Sequence, residues 1–152
     1  MYKGLKIAVG VQCRLNSTRL PCKALLKLSN TTVLGMTLSR SISQGFPTYL
    51  LTSIESSDNL ICKEGAINNV QKIIRGSLDN VSSRYLNLID EVEPDFIVRV
   101  TADNPLTEYR YINPIISHML KTSLPYAWVE PYSCADGVNL EIFTSDFFRQ
   151  SF

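Results

Sequence analysis

The chain has 152 residues, of which 45% are hydrophobic and 19% charged, so it resembles an ordinary globular domain with a core of its own. No apolar run is long enough to cross a bilayer and no secretory signal is evident, so we expect a cytoplasmic protein that does not bind membranes. The four cysteines lack metal-binding spacing and there is one histidine, which argues against zinc and favours free thiols.

Charge is distributed unevenly along the chain. The first 54 residues contain seven of the 15 Lys and Arg residues and none of the 14 Asp and Glu residues. This asymmetry indicates an anion-binding first third, followed by a part of the chain that carries the carboxylates. The basic residues are not interleaved with aromatic ones and no nucleic-acid-binding pattern is present. We therefore expect a nucleotide triphosphate as the anion, and no nucleic acid.

Strand and helix patterns alternate, which predicts an α/β domain with a mostly parallel sheet and helices on both faces. The predicted strands cover residues 7–11, 47–52, 70–74, 96–100, 126–129 and 138–143. The predicted helices cover residues 32–44, 58–68, 79–92 and 111–121, and another begins at Asp146. Ser57 and Asp58 are expected to cap the second helix, and Asp79 the third. The second is expected to bury Leu60, Ile61 and Ile67. No linker or repeat divides residues 1–152, which are predicted to form a single domain.

The stretch from Ile7 to Leu28 carries the strongest functional signal. Its buried strand opens into a loop of small and polar residues with Arg14, Arg19 and Lys23, and no acidic residue lies nearby to neutralise them. Open α/β sheets bind anions at the carboxyl ends of their strands, where loop amides add to the charge of the side chains. This pattern predicts a phosphate-binding loop.

Residues 12–23, QCRLNSTRLPCK, resemble the signature Q-A-R-x-G-S-T-R-L-P-G-K of the sugar cytidylyltransferases. The likeness is greatest to the spore-coat polysaccharide biosynthesis type, which is related to the CMP-sialic acid and CMP-KDO synthetases. Asn16 and Cys22 stand where the signature has glycine, and we expect Asn16 to keep the turn because asparagine tolerates left-handed backbone. The resemblance implies nucleotide contacts from Gln12, Arg14, Asn16, Ser17, Arg19 and Lys23.

Residues 75–85, RGSLDNVSSRY, resemble the family's R-G-S-x-D-D-V-x-x-R-Y. The resemblance implies that Arg75 and Arg84 bond a base edge or a phosphate, and that Gly76 lets the backbone approach the base or ribose. A simple strand-to-helix turn explains the same residues without a ligand. In that alternative, Asp79 caps the helix and Arg84 lies on a solvated face.

Residues 99–106, RVTADNPL, resemble the family's R-x-T-A-D-C-P-L, in which the aspartate binds a magnesium ion that bridges nucleotide and sugar. Mg²⁺ prefers oxygen ligands, usually one or two carboxylates together with phosphate and water. A carboxylate at the end of a buried strand is rigidly aimed, so we expect Asp103 to bind Mg²⁺ and to act in catalysis with Arg14 and Lys23. An ordinary turn aspartate is the alternative.

Residues 135–143, ADGVNLEIF, resemble the family's P-D-G-L-D-V-E-V-F. Positions 139 and 141 of a strand share a face, so Glu141 is expected to be a second metal ligand. Asp136 and Asn139 are expected to bind substrate. Asn139 replaces an aspartate of the family, and its uncharged amide binds Mg²⁺ more weakly. A β-turn at Asp136-Gly137 explains Asp136 equally well.

The resemblance implies a three-layer fold like that of the nucleotide-diphospho-sugar transferases. It also implies a reaction in which an acidic sugar attacks CTP to give a CMP-sugar and pyrophosphate, for surface polysaccharide biosynthesis. Such catalysis is mostly positioning and charge neutralisation. Homodimers are implied too, but relatives continue beyond residue 152 and that part usually includes the dimer contact. Two alternatives stay open: a degenerate relative or fragment that binds nucleotide without turnover, and a glycosyltransferase that uses a nucleotide sugar.

Overall fold

The computed structural model describes residues 4–16, 20–129, 135 and 137–152. In these residues the strands are β1 (Ile7–Gln12), β2 (Lys27–Leu28), β3 (Thr31–Thr32), β4 (Thr48–Ser53), β5 (Lys72–Gly76), β6 (Phe96–Thr101), β7 (Tyr126–Trp128) and β8 (Glu141–Thr144). The α-helices are α1 (Val33–Ser43), α2 (Asn59–Ile67), α3 (Val81–Val92), α4 (Ile112–Thr122) and α5 (Ser145–Ser151). None of the helices in the described ranges combines the length and apolarity needed to span a bilayer.

Six of the described strands form one sheet in the order β5-β4-β1-β6-β8-β7. β5, β4, β1 and β6 run parallel, β8 is antiparallel to β6, and β7 is antiparallel to β8. β2 and β3 pair separately as a short antiparallel ribbon that the sequence did not predict. The predicted fold, a mixed and mostly parallel sheet, is confirmed.

Helices cover both faces of the sheet. Successive strand residues point to opposite faces, so each strand contributes to two apolar cores. Val9 and Val11 of β1 pack in one core with buried residues of α1, α2 and α4. Ala8 of β1 and Ile97 of β6 pack in the other with buried residues of α3 and α5. The three layers leave the carboxyl ends of β1, β4, β5 and β6 at a single edge.

The predicted inward face of α2 is wrong in two of its three positions. Ile61 is fully buried, whereas Leu60 is 51% and Ile67 73% exposed. The helix approaches the sheet through Ile61 and Gly65, which are one turn apart. A Cβ atom at Gly65 would lie 2.6 Å from Leu50 Cδ2. The missing side chain therefore allows a close backbone approach that turns the neighbouring apolar residues outward.

Neither aspartate that was predicted as a cap makes a capping hydrogen bond to its helix. α3 begins after Asn80, whose side-chain oxygen accepts a 3.0 Å hydrogen bond from the Ser83 amide, so Asp79 lies one residue too early. Asp58 precedes α2, but its carboxylate accepts no capping bond from that helix.

β8 begins at Glu141, so Asn139 lies outside the strand and the expected shared strand face does not form.

Candidate active site

Lys23 and Asp103 meet at the carboxyl edge of the sheet. Lys23 begins a short 3₁₀ helix after the β1 loop, and Asp103 lies two residues beyond β6. Their side chains form an ion pair between Nζ and Oδ2, and each is 38% exposed. β1 and β6 are hydrogen-bonded neighbours with Gln12 opposite Thr101, which brings the two following segments together. Two residues that are 80 positions apart in the sequence, each from a different motif, thus place a cation and a carboxylate side by side at this edge of the sheet.

The Asp103 carboxylate is ionised at neutral pH. Burial alone would raise its pKa, but hydrogen bonds from Lys23 and Thr101, together with the charge of Lys23, outweigh burial and lower the pKa. The described residues contain no cluster of three or more side chains able to hold a metal ion. One ionised carboxylate is nevertheless sufficient where phosphate oxygens and water complete the magnesium shell. Asp103 therefore fits a metal ion that arrives with a triphosphate.

The loop between β1 and Lys23 differs in detail from the expectation. Arg14 and Asn16 are exposed, as a ligand-binding role requires. In the described part of the loop, left-handed backbone occurs at Cys22, with φ 55°, and not at Asn16. Cys22 occupies the second glycine position of the signature, and the left-handed backbone that glycine adopts freely is strained for a cysteine. The predicted nucleotide ligands Ser17 and Arg19, and the predicted substrate ligand Asp136, lie outside the described residues.

Arg84 is buried, with 1% of its surface exposed, so the solvated-face alternative is wrong. Its Nη2 donates a long 3.4 Å hydrogen bond to the Leu78 carbonyl, and its Nε has no partner among the described residues. Burial, assisted by the charge of Arg14, lowers the pKa of Arg84. A buried guanidinium with unused donor capacity is consistent with an anion site, and its contact with nucleotide stays a prediction.

Arg75 fixes the segment between β4 and α2. Its Nε donates to the Ser53 carbonyl at 2.8 Å, its Nη2 to the Glu55 carbonyl at 2.8 Å, and its Nη1 to Asn59 Oδ1 at 2.9 Å. These bonds use all three nitrogens, which favours a loop-fixing role, and the predicted nucleotide contact remains untested. At Gly76 an added Cβ would lie 2.8 Å from Arg84 Cγ, so glycine here accommodates Arg84.

A polar network that the motif analysis missed joins β1, β6 and β8. Gln12 Oε1 accepts hydrogen bonds from the Tyr85 hydroxyl and from Arg99 Nε, both at 3.2 Å. Arg99 Nη1 also forms an ion pair with Glu141 at 2.9 Å. The predicted metal ligand Glu141 is therefore paired with an arginine in this structure. Arg99 matches the arginine that opens the motif R-x-T-A-D-C-P-L, and this match was the sequence feature that could have indicated a functional role for it.

Asp58 is a second residue that sequence analysis assigned wrongly. It is fully buried and accepts bonds from the Leu15 amide at 2.9 Å, the Thr52 hydroxyl at 3.1 Å and the Ser53 amide at 3.2 Å, as well as from the Ser53 hydroxyl. Leu15 lies between Arg14 and Asn16. Asp58 therefore attaches the β1 loop to the end of β4.

Replacing Asp58 by alanine is expected to lower the free energy of unfolding by about 3 kcal/mol, because buried donors lose their acceptor. Burial raises the pKa of Asp58, but the accepted hydrogen bonds outweigh burial and lower it. The stabilisation is thus complete above the unfolded-state pKa and is lost as the pH falls through the folded-state pKa. Urea titrations across acidic pH should show this dependence in wild type and not in Asp58→Ala. An equal acid dependence in both proteins would contradict the assignment.

Comparison with known proteins identifies the family. The sequence model described as "Cytidylyltransferase" matches residues 8–143, from β1 to β8. The chain belongs to the cytidylyltransferase family. The resemblance to sugar cytidylyltransferases seen in the motifs is thereby confirmed.

Two curated relatives of this cytidylyltransferase chain extend beyond it. An uncharacterized protein of Methanocaldococcus jannaschii is 33% identical over 147 residues, covering 93% of the chain and 58% of the relative. The spore coat polysaccharide biosynthesis protein SpsF of Bacillus subtilis is 26% identical over 125 residues, covering 78% of the chain and 52% of the relative. The cytidylyltransferase chain thus spans little more than half the length of these relatives.

Solved structures agree with the fold. A cytidylyltransferase from Leptospira borgpetersenii superposes with a TM-score of 0.85 at 29% identity, covering 96% of this chain and 63% of that one. A CMP:2-keto-3-deoxy-manno-octonic acid synthetase complexed with CTP superposes with a TM-score of 0.73 at 14% identity, covering 96% and 77%. At 14% identity, the similarity to the synthetase shows only that the two proteins share a fold.

Proposed function

We propose that this cytidylyltransferase chain binds CTP and takes part in transferring CMP to an acidic sugar, with release of pyrophosphate. The observation that carries the proposal is the Lys23–Asp103 pair at the carboxyl edge of the sheet. It sets a phosphate-binding cation beside an ionised carboxylate. Both lie next to the loop whose sequence resembles the family's nucleotide-binding signature. The match of residues 8–143 to the cytidylyltransferase family model supports CTP as the nucleotide.

In the proposed reaction, a sugar hydroxyl attacks the α-phosphate of CTP and pyrophosphate departs. Lys23 and Arg14 bind the triphosphate and neutralise charge that accumulates on the leaving group. Gln12 positions the nucleotide through its amide nitrogen, since its oxygen already accepts two hydrogen bonds. Asp103 would hold Mg²⁺, and the bound ion would supply Lewis-acid polarisation of the α-phosphate. Rate enhancement then comes mainly from orientation and fixed charge.

The biological role and assembly of the protein are also proposals. A role in surface polysaccharide biosynthesis is supported by the likeness to the spore coat protein, and a cytoplasmic location remains an expectation. The predicted homodimer remains an expectation based on the family.

Calorimetry with CTP, UTP, ATP and UDP-glucose tests the proposed nucleotide, each in the presence of Mg²⁺ and of a chelator. We expect CTP to bind at least about tenfold more tightly than the others, and only in the presence of Mg²⁺. A preference for UDP-glucose would instead indicate a glycosyltransferase. Equal affinity for all four nucleotides would contradict the proposal.

A binding domain without turnover is the second candidate function. Two observations favour it: Asn139 replaces an aspartate of the family motif, and Glu141 is engaged by Arg99. Both reduce the negative charge that the predicted ligands offer to Mg²⁺. The two candidates are separated by pyrophosphate release with CTP and a panel of sugar acids, using a form of the protein already shown to bind CTP.

A further inference from the structure

Arg99 and Glu141 form an exchangeable ion pair beside the proposed nucleotide site. They lie directly opposite each other on β6 and β8. Arg99 Nη1 donates to both carboxylate oxygens, at 2.9 and 3.2 Å. The two side chains are 37% and 34% exposed. Ion pairs that are this accessible to water contribute little to stability, so another carboxylate can replace Glu141 at low cost.

The Arg99 guanidinium does not depend on Glu141 for its orientation. Its Nε donates to Gln12 Oε1 at 3.2 Å, and Gln12 is held in turn by the hydroxyl of Tyr85, which is 1% exposed. A planar guanidinium fixed on one edge still presents its other nitrogens to a carboxylate. Arg99 therefore remains a preformed carboxylate receptor when Glu141 moves away.

Two cavities meet at this ion pair. One, of about 450 Å³, is lined mainly by aromatic side chains of α3, β8 and α5. The other, of about 210 Å³, is lined by Thr101, Asn104, Trp128 and Asn139 in addition to the pair itself. The smaller cavity offers hydrogen-bonding groups for hydroxyls and an indole, 53% exposed, for the apolar face of a sugar ring. Asn104 of this cavity directly follows Asp103, the proposed metal ligand, in the sequence.

We propose that Arg99 selects the acceptor, with Glu141 as an internal ligand that the carboxylate of a sugar acid displaces. The sugar body then occupies the 210 Å³ cavity. This inference rests on the proposed function for the identity of the acceptor as a sugar. A neutral sugar competes poorly with Glu141, because it brings no charge to form a charge-assisted hydrogen bond with the guanidinium. A sugar acid preserves the charge balance, and Arg99 thereby discriminates between the two.

Nuclear magnetic resonance of the ¹⁵N-labelled Arg99 side chain tests the receptor directly. The probes are glucuronate, N-acetylneuraminate and 2-keto-3-deoxy-octonate, each paired with its neutral methyl ester, and Arg99→Lys assigns the Nε signal. We expect the acids to shift this signal and the esters to leave it unchanged. Glu141→Gln, which keeps the shape of the side chain, should tighten acid binding roughly two- to fivefold. Arg99→Gln should weaken it about tenfold or more.

The inference is overturned if no acid shifts the Arg99 signal up to its solubility, or if acids and esters shift it equally. It also fails if Glu141→Gln leaves acid affinity unchanged and weakens magnesium-dependent CTP binding, as a metal ligand would. Calorimetry with CTP on the same samples separates this inference from the proposed function. If the protein binds CTP as expected but sugar acids do not shift the Arg99 signal, the inference alone is rejected. If the protein shows no preference for CTP, the proposed function is rejected.

Discussion

Replacing Asp103 by asparagine is expected to abolish the magnesium dependence of CTP binding and to lower pyrophosphate release by roughly 10²- to 10³-fold. Of the two predicted metal ligands, Glu141 is paired with Arg99, whereas Asp103 is paired with Lys23, which a triphosphate can draw away. Asparagine keeps the shape and an oxygen but loses the charge that attracts a divalent cation. The bound triphosphate would then hold Mg²⁺ with no anionic help from the protein.

Calorimetry of CTP binding, with Mg²⁺ and with a chelator, measures this loss without relying on turnover. Paramagnetic resonance of Mn²⁺ in the presence of CTP reports the metal independently. Asp146→Asn is the matched control, because it removes an exposed carboxylate at the start of α5 that lies outside every motif. An unchanged magnesium dependence in Asp103→Asn, with the control also unchanged, would show that the protein does not hold the metal through Asp103.

The fold could be predicted from the sequence because the strands are short apolar runs and most of the motifs lie at the ends of those strands. β1 and β6 were both expected as buried strands, and parallel neighbours bring their carboxyl ends to one edge. The meeting of Lys23 and Asp103 follows from that geometry. Resemblance to the family selected these two among many basic and acidic residues, since local pattern alone gives a lone aspartate an ordinary turn role.

The residues that the sequence analysis missed or assigned wrongly form hydrogen bonds with residues that are distant in the sequence. The carboxylate of Asp58 bonds Leu15, 43 residues earlier, and Arg99 bonds Gln12, 87 residues earlier. Local patterns do not encode such pairs, because an aspartate before a helix looks the same whether it caps the helix or points inward. The burial of Arg84 likewise depends on Gly76, whose missing side chain makes room for it.

Strand boundaries limited the analysis of the last motif. The run from Val138 to Phe143 reads as one strand, but β8 begins at Glu141 and pairs with Arg99 there. Asn139 reaches the same cavity from outside the strand. The alternation rule therefore predicted for a wrong reason that Asn139 and Glu141 lie near each other.

Replacing Lys23 by alanine is expected to weaken CTP binding roughly 10- to 100-fold, since a charge-assisted contact to phosphate is lost. The same replacement should tighten the binding of Mn²⁺ measured without nucleotide. Lys23 competes with a metal ion for Asp103 in the free protein, and removing it leaves that carboxylate unpaired. The two effects have opposite signs, although they arise from one substitution.

This opposition distinguishes a direct role of Lys23 from general damage to the fold, which would weaken CTP and Mn²⁺ binding together. Lys27→Ala is the matched control, because Lys27 is an exposed lysine of β2, four residues further along the same segment. It should leave both affinities unchanged if position matters rather than net charge. If both lysine variants lose CTP affinity equally, the loop attracts the nucleotide only through its overall charge. If Lys23→Ala binds CTP as the wild type does, the ion pair with Asp103 is structural and the phosphates are bound elsewhere.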